Sequence, residues 1–285
     1  MAIHLLLAKV GPVSLILLLG LALSVLAWLL GEPHWRRWRR QRVAARPFPA
    51  AWRAVLHRRL PVYRRLPPPL QTQLKRLIQV FIAEKPFIGC QGQVITDEVR
   101  VTIAAQACLL LLNRDPALFD RLRQVLVYPG AFVVERLYPG PDGVLQDQRH
   151  ALSGESWQQG QVILSWEDVL AGAADPDDGR NVVLHEFAHQ LDQANGSENG
   201  APSLGSRRRH AAWAAVFEAE YQRLQQRLAW GEPTLLNAYG ATSPAEFFAV
   251  ATEAFFEQAQ ALAVDSPALY AQLAGYYQVD PRAWR

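Results

Sequence analysis

The spacing of hydrophobic residues divides the chain into segments of different predicted structure. Residues 10–30 are apolar and uncharged throughout, and about 20 such residues span a bilayer as a helix. Over residues 70–82 apolar positions recur every three or four residues, which predicts an amphipathic helix that stops before Pro86. The same spacing predicts a helix over residues 99–112 and a shorter one over 116–124.

Beyond residue 124 the pattern changes to short apolar runs rich in β-branched residues, which are typical of strands. We predict strands at 125–128, 132–134 and 162–166, and a very short one at 94–95. Helical spacing then returns at 180–194, 207–230, 244–260 and 267–277. The sequence therefore predicts an α+β fold, a mainly helical domain with a small β-sheet.

Positive charge is concentrated directly after the N-terminal apolar run. Residues 36–65 contain 11 arginines and no acidic residue, although the whole chain carries a net charge of only +3. The basic character therefore belongs to one segment, and the acidic remainder argues against a nucleic-acid-binding body. We predict a transmembrane anchor over 1–31, an Arg- and Pro-rich juxtamembrane linker over 32–69 and the folded domain over 70–285.

The arginines also predict how the anchor is oriented. Five of them lie within residues 36–42, whereas Lys9 is the one Lys or Arg that precedes the apolar run at 10–30. By the positive-inside rule the folded domain then lies in the cytoplasm, and the arginines attract anionic lipid headgroups. A cleaved signal peptide, with residues 22–24 resembling a cleavage site, and a buried core helix are the alternatives. The charge distribution favours the anchor.

The clearest chemical motif of the chain is His185-Glu186-x-x-His189. On a helix, positions i and i+4 lie one turn apart on the same face, so the two imidazoles can bind one metal ion. Glu186 is offset from that face and is suited to take a proton from the attacking water. Apolar residues surround the motif, which predicts a buried helix with Asp177 and Asp178 as candidate N-caps.

Catalytic zinc has three protein ligands, so a third must come from elsewhere in the chain. The candidates after the motif are Asp192, Glu198, His210, Glu218, Glu220, Glu232, Glu246, Glu253 and Glu257. Glu246 is the best placed, early in the helix that Ser243 and Pro244 begin. The Ser-x-x-Glu spacing equally fits a capping box, in which Glu246 only bonds back to the backbone of Ser243. Glu253 is the rival, as a ligand or as an acceptor for the second N–H of a ligand histidine.

The sequence resembles the Mlc titration factor A family over most of its length. The stretches that carry the resemblance are residues 185–192, 239–250 and 154–166. This family consists of bacterial zinc peptidases that are related in their catalytic core to lethal-factor-type gluzincins. Its members are cytoplasmic, have aminopeptidase activity and bind a glucose-responsive transcriptional repressor. The first 50 residues depart from the family pattern.

The resemblance implies the fold, the cofactor and the residues of the site. It implies a zincin-like metallopeptidase domain with Zn²⁺ as the cofactor and with His185, His189 and Glu246 as metal ligands. Glu186 is then the catalytic base. Tyr239 is placed to stabilise the oxyanion of the tetrahedral intermediate, a role that suits a phenol donor.

The sequence thus predicts a zinc-dependent, aminopeptidase-like enzyme that acts on peptides or proteins. Regulation of sugar uptake through a transcriptional repressor partner is part of the hypothesis, and the strand at 162–166 is expected to align the substrate. The alternative is a membrane-tethered binding module for a regulatory protein in which catalysis is secondary. A purely structural zinc site is disfavoured because such sites usually have four Cys or His ligands. For localisation, the alternative is a soluble cytoplasmic protein.

Overall fold

A computed structural model describes the backbone in five stretches. They are residues 12–130, 132–139, 145–152, 154–157 and 160–284. Several residues named above lie outside the described residues: Lys9, the first two residues of the predicted span, and Gln158 and Gln159. Most of the Pro- and Gly-rich run at 139–143, whose composition predicts a turn, also lies outside them. Contacts divide the chain into two compact units, Met1–Arg46 and Pro47–Arg285, and each is described by itself.

The first unit is built on one long helix, α1, at Pro12–Ala44. The apolar run and the arginines lie on this same helix, and Arg42 is placed over the ring of Trp38 at 4.2 Å. Within Ile16–Ala44, an 18-residue window has a mean hydropathy of 2.0 and none of it is buried. The helix is long and apolar enough to cross a membrane, a criterion that signal sequences and some core helices also meet.

The second unit begins with four helices. They are α2 (Ala50–Arg59), α3 (Pro61–Arg65), α4 (Pro68–Glu84) and α5 (Asp97–Leu109). The predicted helices at 70–82 and 99–112 correspond to α4 and α5, and the side chain of Thr96 caps α5 by accepting the Val99 N–H. Part of the predicted linker is therefore helical, and the domain boundaries at 31 and 69 stay predictions.

The first strand, β1, lies at Phe87–Gly89, so the prediction of a strand at 94–95 is wrong. β1 pairs in parallel with β2 (Gln124–Tyr128). The chain then turns, with the Gln93 N–H donating to the Cys90 carbonyl oxygen at 3.0 Å. This turn brings the Gln93 carbonyl so close to Gly89 that a Cβ there would collide with it. A long-range pairing decides the position of this strand, and local β-propensity does not reveal it.

The predicted helix over 116–124 is also wrong, since a short 3₁₀ turn at Pro116–Phe119 takes its place. The buried ammonium of Lys85 donates hydrogen bonds to the carbonyl oxygens of Phe119 and Leu122 at 2.6 and 2.8 Å. These carbonyls are therefore satisfied without a further helical turn, and the chain continues directly into β2.

Of the other four strands, two join β1 and β2 in the main sheet and two form a separate pair. They are β3 (Phe132–Pro139), β4 (Leu145–Leu152), β5 (Gly154–Trp157) and β6 (Gln161–Ser165). The main sheet has the order β1-β2-β6-β5, with the first three parallel and β5 antiparallel at the edge. The predicted strand at 132–134 belongs instead to the separate β3–β4 pair.

In the described residues that follow β6, the unit has six further α-helices. They are α6 (Trp166–Ala174), α7 (Val182–Asp192), α8 (Arg207–Ala229), α9 (Pro244–Glu257), α10 (Ala259–Asp265) and α11 (Pro267–Tyr277). The helix predicted at 244–260 ends at Glu257, and Gln258 separates it from α10. The predicted fold class, mainly helical with a small sheet, is confirmed.

The HExxH helix is anchored in the aromatic core. Phe187 of α7 is fully buried, and its ring lies 5.0 Å from that of Phe119 and 5.6 Å from that of Phe81 between ring centroids. The contact with Phe119 is edge-on and the contact with Phe81 is tilted, and such aromatic contacts add to the stabilisation from burial. One side of α7 is thus held by the core, and α9 packs against it as well.

Candidate metal centre

The helix that carries the motif begins at Asn181, not at the predicted caps Asp177 and Asp178. The Asn181 side-chain oxygen accepts the backbone N–H of Leu184 at 3.0 Å, which is an N-cap bond. Asp177 instead forms a two-point ion pair with Arg65, at 2.6 and 2.8 Å. The buried cap fixes the start of α7, and therefore the rotational position of both motif histidines.

His185 and His189 lie one turn apart on α7 with their rings close together. Their Nε2 atoms are 3.3 Å apart. Their ring centroids are separated by 5.0 Å. This is the arrangement that the i, i+4 spacing predicts for a pair of metal ligands.

Glu246 reaches both imidazoles from the first turn of α9. Its Oε2 atom lies 2.9 Å from Nε2 of His185 and 3.4 Å from Nε2 of His189. The Ser243 hydroxyl accepts the Glu246 N–H at 3.2 Å, so the residue also takes part in one half of a capping box. Its carboxylate is directed at the histidines, and the three ligand atoms form a group that could hold a metal ion.

The spacing of these atoms suits a tetrahedral zinc ion. Bonds of about 2.0–2.1 Å place two ligand atoms of a tetrahedron about 3.3 Å apart. The measured separations among His185, His189 and Glu246 run from 2.9 to 3.4 Å. The donor set, two imidazole nitrogens and one carboxylate oxygen, is also that of catalytic zinc sites.

Glu253 fixes the orientation of His185 from the other side of the ring. Its Oε1 atom lies 2.7 Å from Nδ1 of His185, and its Oε2 atom accepts the backbone N–H of Asn181 at 2.5 Å. Nδ1 of His185 donates to this carboxylate in the neutral ring, which leaves the lone pair of Nε2 directed at Glu246. Nε2 of His185 and the carboxylate oxygen of Glu246 are then two acceptor atoms that face each other, an arrangement that a cation bound by both would stabilise.

Glu186 is buried beside the two histidines. Burial raises the pKa of its carboxyl to about 7, although the neighbouring His185 and His189 act to lower it. Burial acts in the same direction on Glu246, but the close contacts of its carboxylate with His185 and His189 outweigh burial and lower the pKa of Glu246 to about 2. At neutral pH the carboxyl of Glu246 is therefore ionised, whereas the carboxyl of Glu186 is close to its pKa.

Tyr239 lies at the rim of the site, on the 3₁₀ turn Ala238–Ala241 just before α9. Its ring centroid is 6.0 Å from that of His185, and the residue is 51% exposed. The Asn237 side chain accepts the Tyr239 N–H at 2.9 Å and holds the start of the turn. The phenol is thus accessible to a substrate beside the histidines.

The other ligand candidates lie elsewhere or act differently. Asp192 is buried and accepts the Gly200 N–H at 2.7 Å, and burial raises the pKa of its carboxyl to about 6. Glu198 has an oxygen 3.4 Å from Nδ1 of His189, on the side of that ring away from Glu246. The group of potential metal ligands found among the described residues contains none of the other candidates, which are His210, Glu218, Glu220, Glu232 and Glu257.

Sequence reasoning did not single out Asn181 or Gly200. Besides its cap bond, the Asn181 side chain donates to Gln106 at 2.9 Å and to the Gly172 carbonyl at 3.1 Å. Gly200 has φ of +75°, and a Cβ there would meet the carbonyl oxygen of Pro244 at 2.3 Å. A run of Gly and Asn such as 195–200 is typical of a turn, but the contact of Gly200 with α9 is a tertiary feature that no local pattern reveals.

Comparison with known families identifies the class of protein. A model of the family described as "Glucose-regulated metallo-peptidase M90" matches residues 35–278. The chain belongs to the M90 metallopeptidase family. The predicted resemblance to Mlc titration factor A is confirmed, whereas the relation to lethal-factor-type gluzincins stays a prediction.

Several relatives cover most of this M90 metallopeptidase. "Uncharacterized protein slr2042" of Synechocystis sp. is 44% identical over 267 residues, which is 93% of this chain and 97% of the relative. "Mlc titration factor A" of Klebsiella pneumoniae is 36% identical over 224 residues, 78% of this chain and 84% of the relative. The protein of the same name from Escherichia fergusonii is 34% identical over the same shares. Membership of the family implies a metal-dependent protease, and the metal is usually zinc.

Proposed function

We propose that this M90 metallopeptidase is a zinc peptidase in which His185, His189 and Glu246 bind the ion. The observation that supports this most directly is the convergence of their three ligand atoms at 2.9–3.4 Å from one another. The hydrogen bond of Glu253 to the far nitrogen of His185 supports the same assignment, because ligand histidines commonly donate their second N–H to a carboxylate.

In this proposal one side chain transfers protons and a second side chain stabilises the negative charge that develops on the substrate. When bound, zinc lowers the pKa of a water to about 7 and polarises the scissile carbonyl. Glu186 takes a proton from the attacking water and passes it to the leaving amine. Tyr239 donates a hydrogen bond to the oxygen on which negative charge develops. The burial of Glu186 and the exposure of Tyr239 suit these roles.

We propose that an extended substrate aligns along a different strand from the one predicted at 162–166. The strand at 162–166, now β6, is paired with β2 on one side and β5 on the other, so it has no open edge for a peptide. The edge strand β5 contacts α7 and is the place where an extended substrate would add a strand. We propose aminopeptidase-like activity on peptides or proteins, as the family resemblance implies.

The regulatory part of the proposal rests on the relatives. The name Mlc titration factor A links those relatives to Mlc. We propose that this chain likewise has a transcriptional repressor as its partner and that it acts in the regulation of sugar uptake. The alternative, a binding module in which catalysis is secondary, predicts that a Glu186→Gln protein still performs its cellular task.

We also propose that α1 anchors the protein in a membrane with the peptidase unit in the cytoplasm. The exposure of its apolar side chains supports the anchor, since nothing within the described structure buries them. The arginines that follow the apolar stretch support the cytoplasmic side. Carbonate extraction of membranes and protease accessibility in spheroplasts test both points.

Metal content and activity, measured together, test the catalytic proposal. The purified full chain should carry about one zinc ion. His185→Ala should lose zinc and activity, and Glu186→Gln should keep zinc and lose peptide hydrolysis. His210→Ala and Glu218→Gln, at exposed positions, are the matched controls and should change neither. Full zinc content in the His185→Ala protein, or full activity in the Glu186→Gln protein, would overturn the assignment.

A further inference from the structure

A second cavity, of about 300 Å³, lies outside the metal centre. It is formed between α8, α11 and the segment before α8, and none of the three ligand residues lines it. Its lining residues include no Asp or Glu but two arginines, Arg114 and Arg209. The two come from distant parts of the chain, the loop after α5 and the first turn of α8. Two cationic side chains in the lining of one cavity, with no carboxylate in that lining, favour the binding of an anion.

Arg114 is held in one orientation. Its guanidinium lies over the ring of Tyr276, 4.0 Å from the centroid, and one of its nitrogens donates to the Tyr276 carbonyl oxygen. A guanidinium has five N–H donors in a rigid fork, and this carbonyl takes one of them. The stacked, pre-oriented fork is suited to two-point binding of a carboxylate or phosphate.

Arg209 supplies a second positive charge. Ser206 caps α8 by accepting the backbone N–H of Arg209 at 3.3 Å, which fixes the residue at the mouth of the cavity. Within the described parts of the chain its guanidinium makes no ion pair. Two like charges at one cavity are stabilised by an anion of charge −2 better than by a monovalent one.

Small residues on the facing helix leave room for the body of a ligand. Ala271 and Gly275 lie one turn apart on α11, and a Cβ added to Gly275 would meet nothing within 4 Å. Gln272 and Gln278 also line the cavity, and their amides can donate to or accept from a polar ligand. The volume is at the lower end of the range for small-molecule sites.

We propose that this cavity binds a small organic dianion, a phosphate monoester or a dicarboxylate. Its anionic group pairs with Arg114 and Arg209, and its polar body lies along Gln272 and Gln278. The site is separate from the metal centre and does not depend on the proposed catalytic roles.

Isothermal titration of the zinc-loaded full chain in a non-ionic detergent tests the proposal. The probes are glycerol 3-phosphate, succinate and, as the neutral control, glycerol. At least one of the two dianions should bind one-to-one with a dissociation constant of about 1 mM or tighter, and glycerol should not bind. The two dianions distinguish a phosphate site from a dicarboxylate site.

Matched variants locate the binding. Arg209→Gln should weaken it about tenfold or more, whereas Arg208→Gln removes the same charge from a residue outside the lining and should change it less than about twofold. Gly275→Leu fills the cavity and should abolish binding. His185→Ala should leave it intact.

Three results would overturn the proposal. The first is the absence of binding by both dianions. The second is equal weakening by the Arg208 and Arg209 variants, which indicates diffuse surface charge. The third is binding that is lost in His185→Ala, which places the dianion at the metal.

Discussion

Glu253 joins His185, on the face of α7 that we propose to bind metal, to the cap that begins that helix. One of its oxygens lies 2.7 Å from Nδ1 of His185, and the other accepts the Asn181 N–H at 2.5 Å. A single carboxylate thus sets both the orientation of an imidazole and the place where its helix starts. Because these two donors need two acceptor atoms, the carboxylate cannot be replaced by an amide without loss.

Glu253→Gln should lower zinc affinity by about 10–100-fold, because a glutamine offers one acceptor oxygen where two donors compete. Zinc affinity, measured by competition with a fluorescent chelator, is the readout, and circular dichroism checks that the fold is kept. Glu218→Gln on the exposed face of α8 is the control. Unchanged affinity in Glu253→Gln would show that the hydrogen bond does not orient the ligand.

Tyr239→Phe should lower kcat by about 10²–10³-fold and leave KM nearly unchanged, because the proposed hydrogen bond from the phenol strengthens only when negative charge develops. Its zinc content and thermal stability should equal those of the parent, since the residue is 51% exposed. Steady-state kinetics with a peptide substrate separate the two constants. An increase in KM with an unaltered kcat would assign the residue to substrate binding instead.

Glu257→Gln should stabilise the protein at alkaline pH. Burial raises the pKa of Glu257 to about 8 in the folded protein, above the value of about 4.3 expected for an unfolded chain. The parent therefore loses stability as pH rises through this interval, because the unfolded chain releases the proton first. Glutamine does not titrate and still accepts the hydrogen bond that Asn181 donates at 2.9 Å.

The difference in melting temperature between Glu257→Gln and the parent is the measurement. It should be small at pH 4.5, grow with pH and level off above pH about 8. The exposed control Glu218→Gln should show no such trend. A difference that is constant over the whole range would contradict a raised pKa at Glu257.

Gly200→Ala should destabilise the protein by more than about 2 kcal/mol, because its new Cβ collides with the carbonyl of Pro244. Gly205 has the same φ of +75° but open space around it, so Gly205→Ala measures the backbone strain alone. Chemical denaturation of both variants isolates the collision. Equal losses of stability in the two variants would mean that the loop with Gly200 moves away from α9 at no cost in free energy.

The parts of the fold that follow from local pattern could be predicted from the sequence. The spacing of apolar residues located α4, α5, α8 and α11, and the HExxH spacing placed both imidazoles on one face. The prediction of a strand at 94–95 failed because the parallel pairing with β2 places the strand at Phe87–Gly89 instead. The prediction of a helix at 116–124 failed because the Lys85 ammonium binds the carbonyls of that segment. Neither feature leaves a signal within a few residues of the segment it determines.

Glu246 marks the same limit within the site. Its Ser-x-x-Glu pattern fits a capping role and a ligand role equally well. Only the packing of α9 against α7 directs the carboxylate at the histidines, while its N–H still bonds to Ser243. The cap at Asn181 was missed for a related reason, because Asp177 and Asp178 are equally good local caps and the partners of Asn181 come from distant helices.

The order in which the polypeptide is made has a consequence for the metal centre. The carboxylate of Glu246 leaves the ribosome 61 residues after His185, with all of α8 in between. A nascent chain that has exposed both imidazoles therefore still lacks the oxygen donor and the helix that orients them. If the proposed assignment holds, hydrolytic competence arises only after α9 has been made and has packed against α7, so a nascent chain that ends before α9 cannot cleave its neighbours.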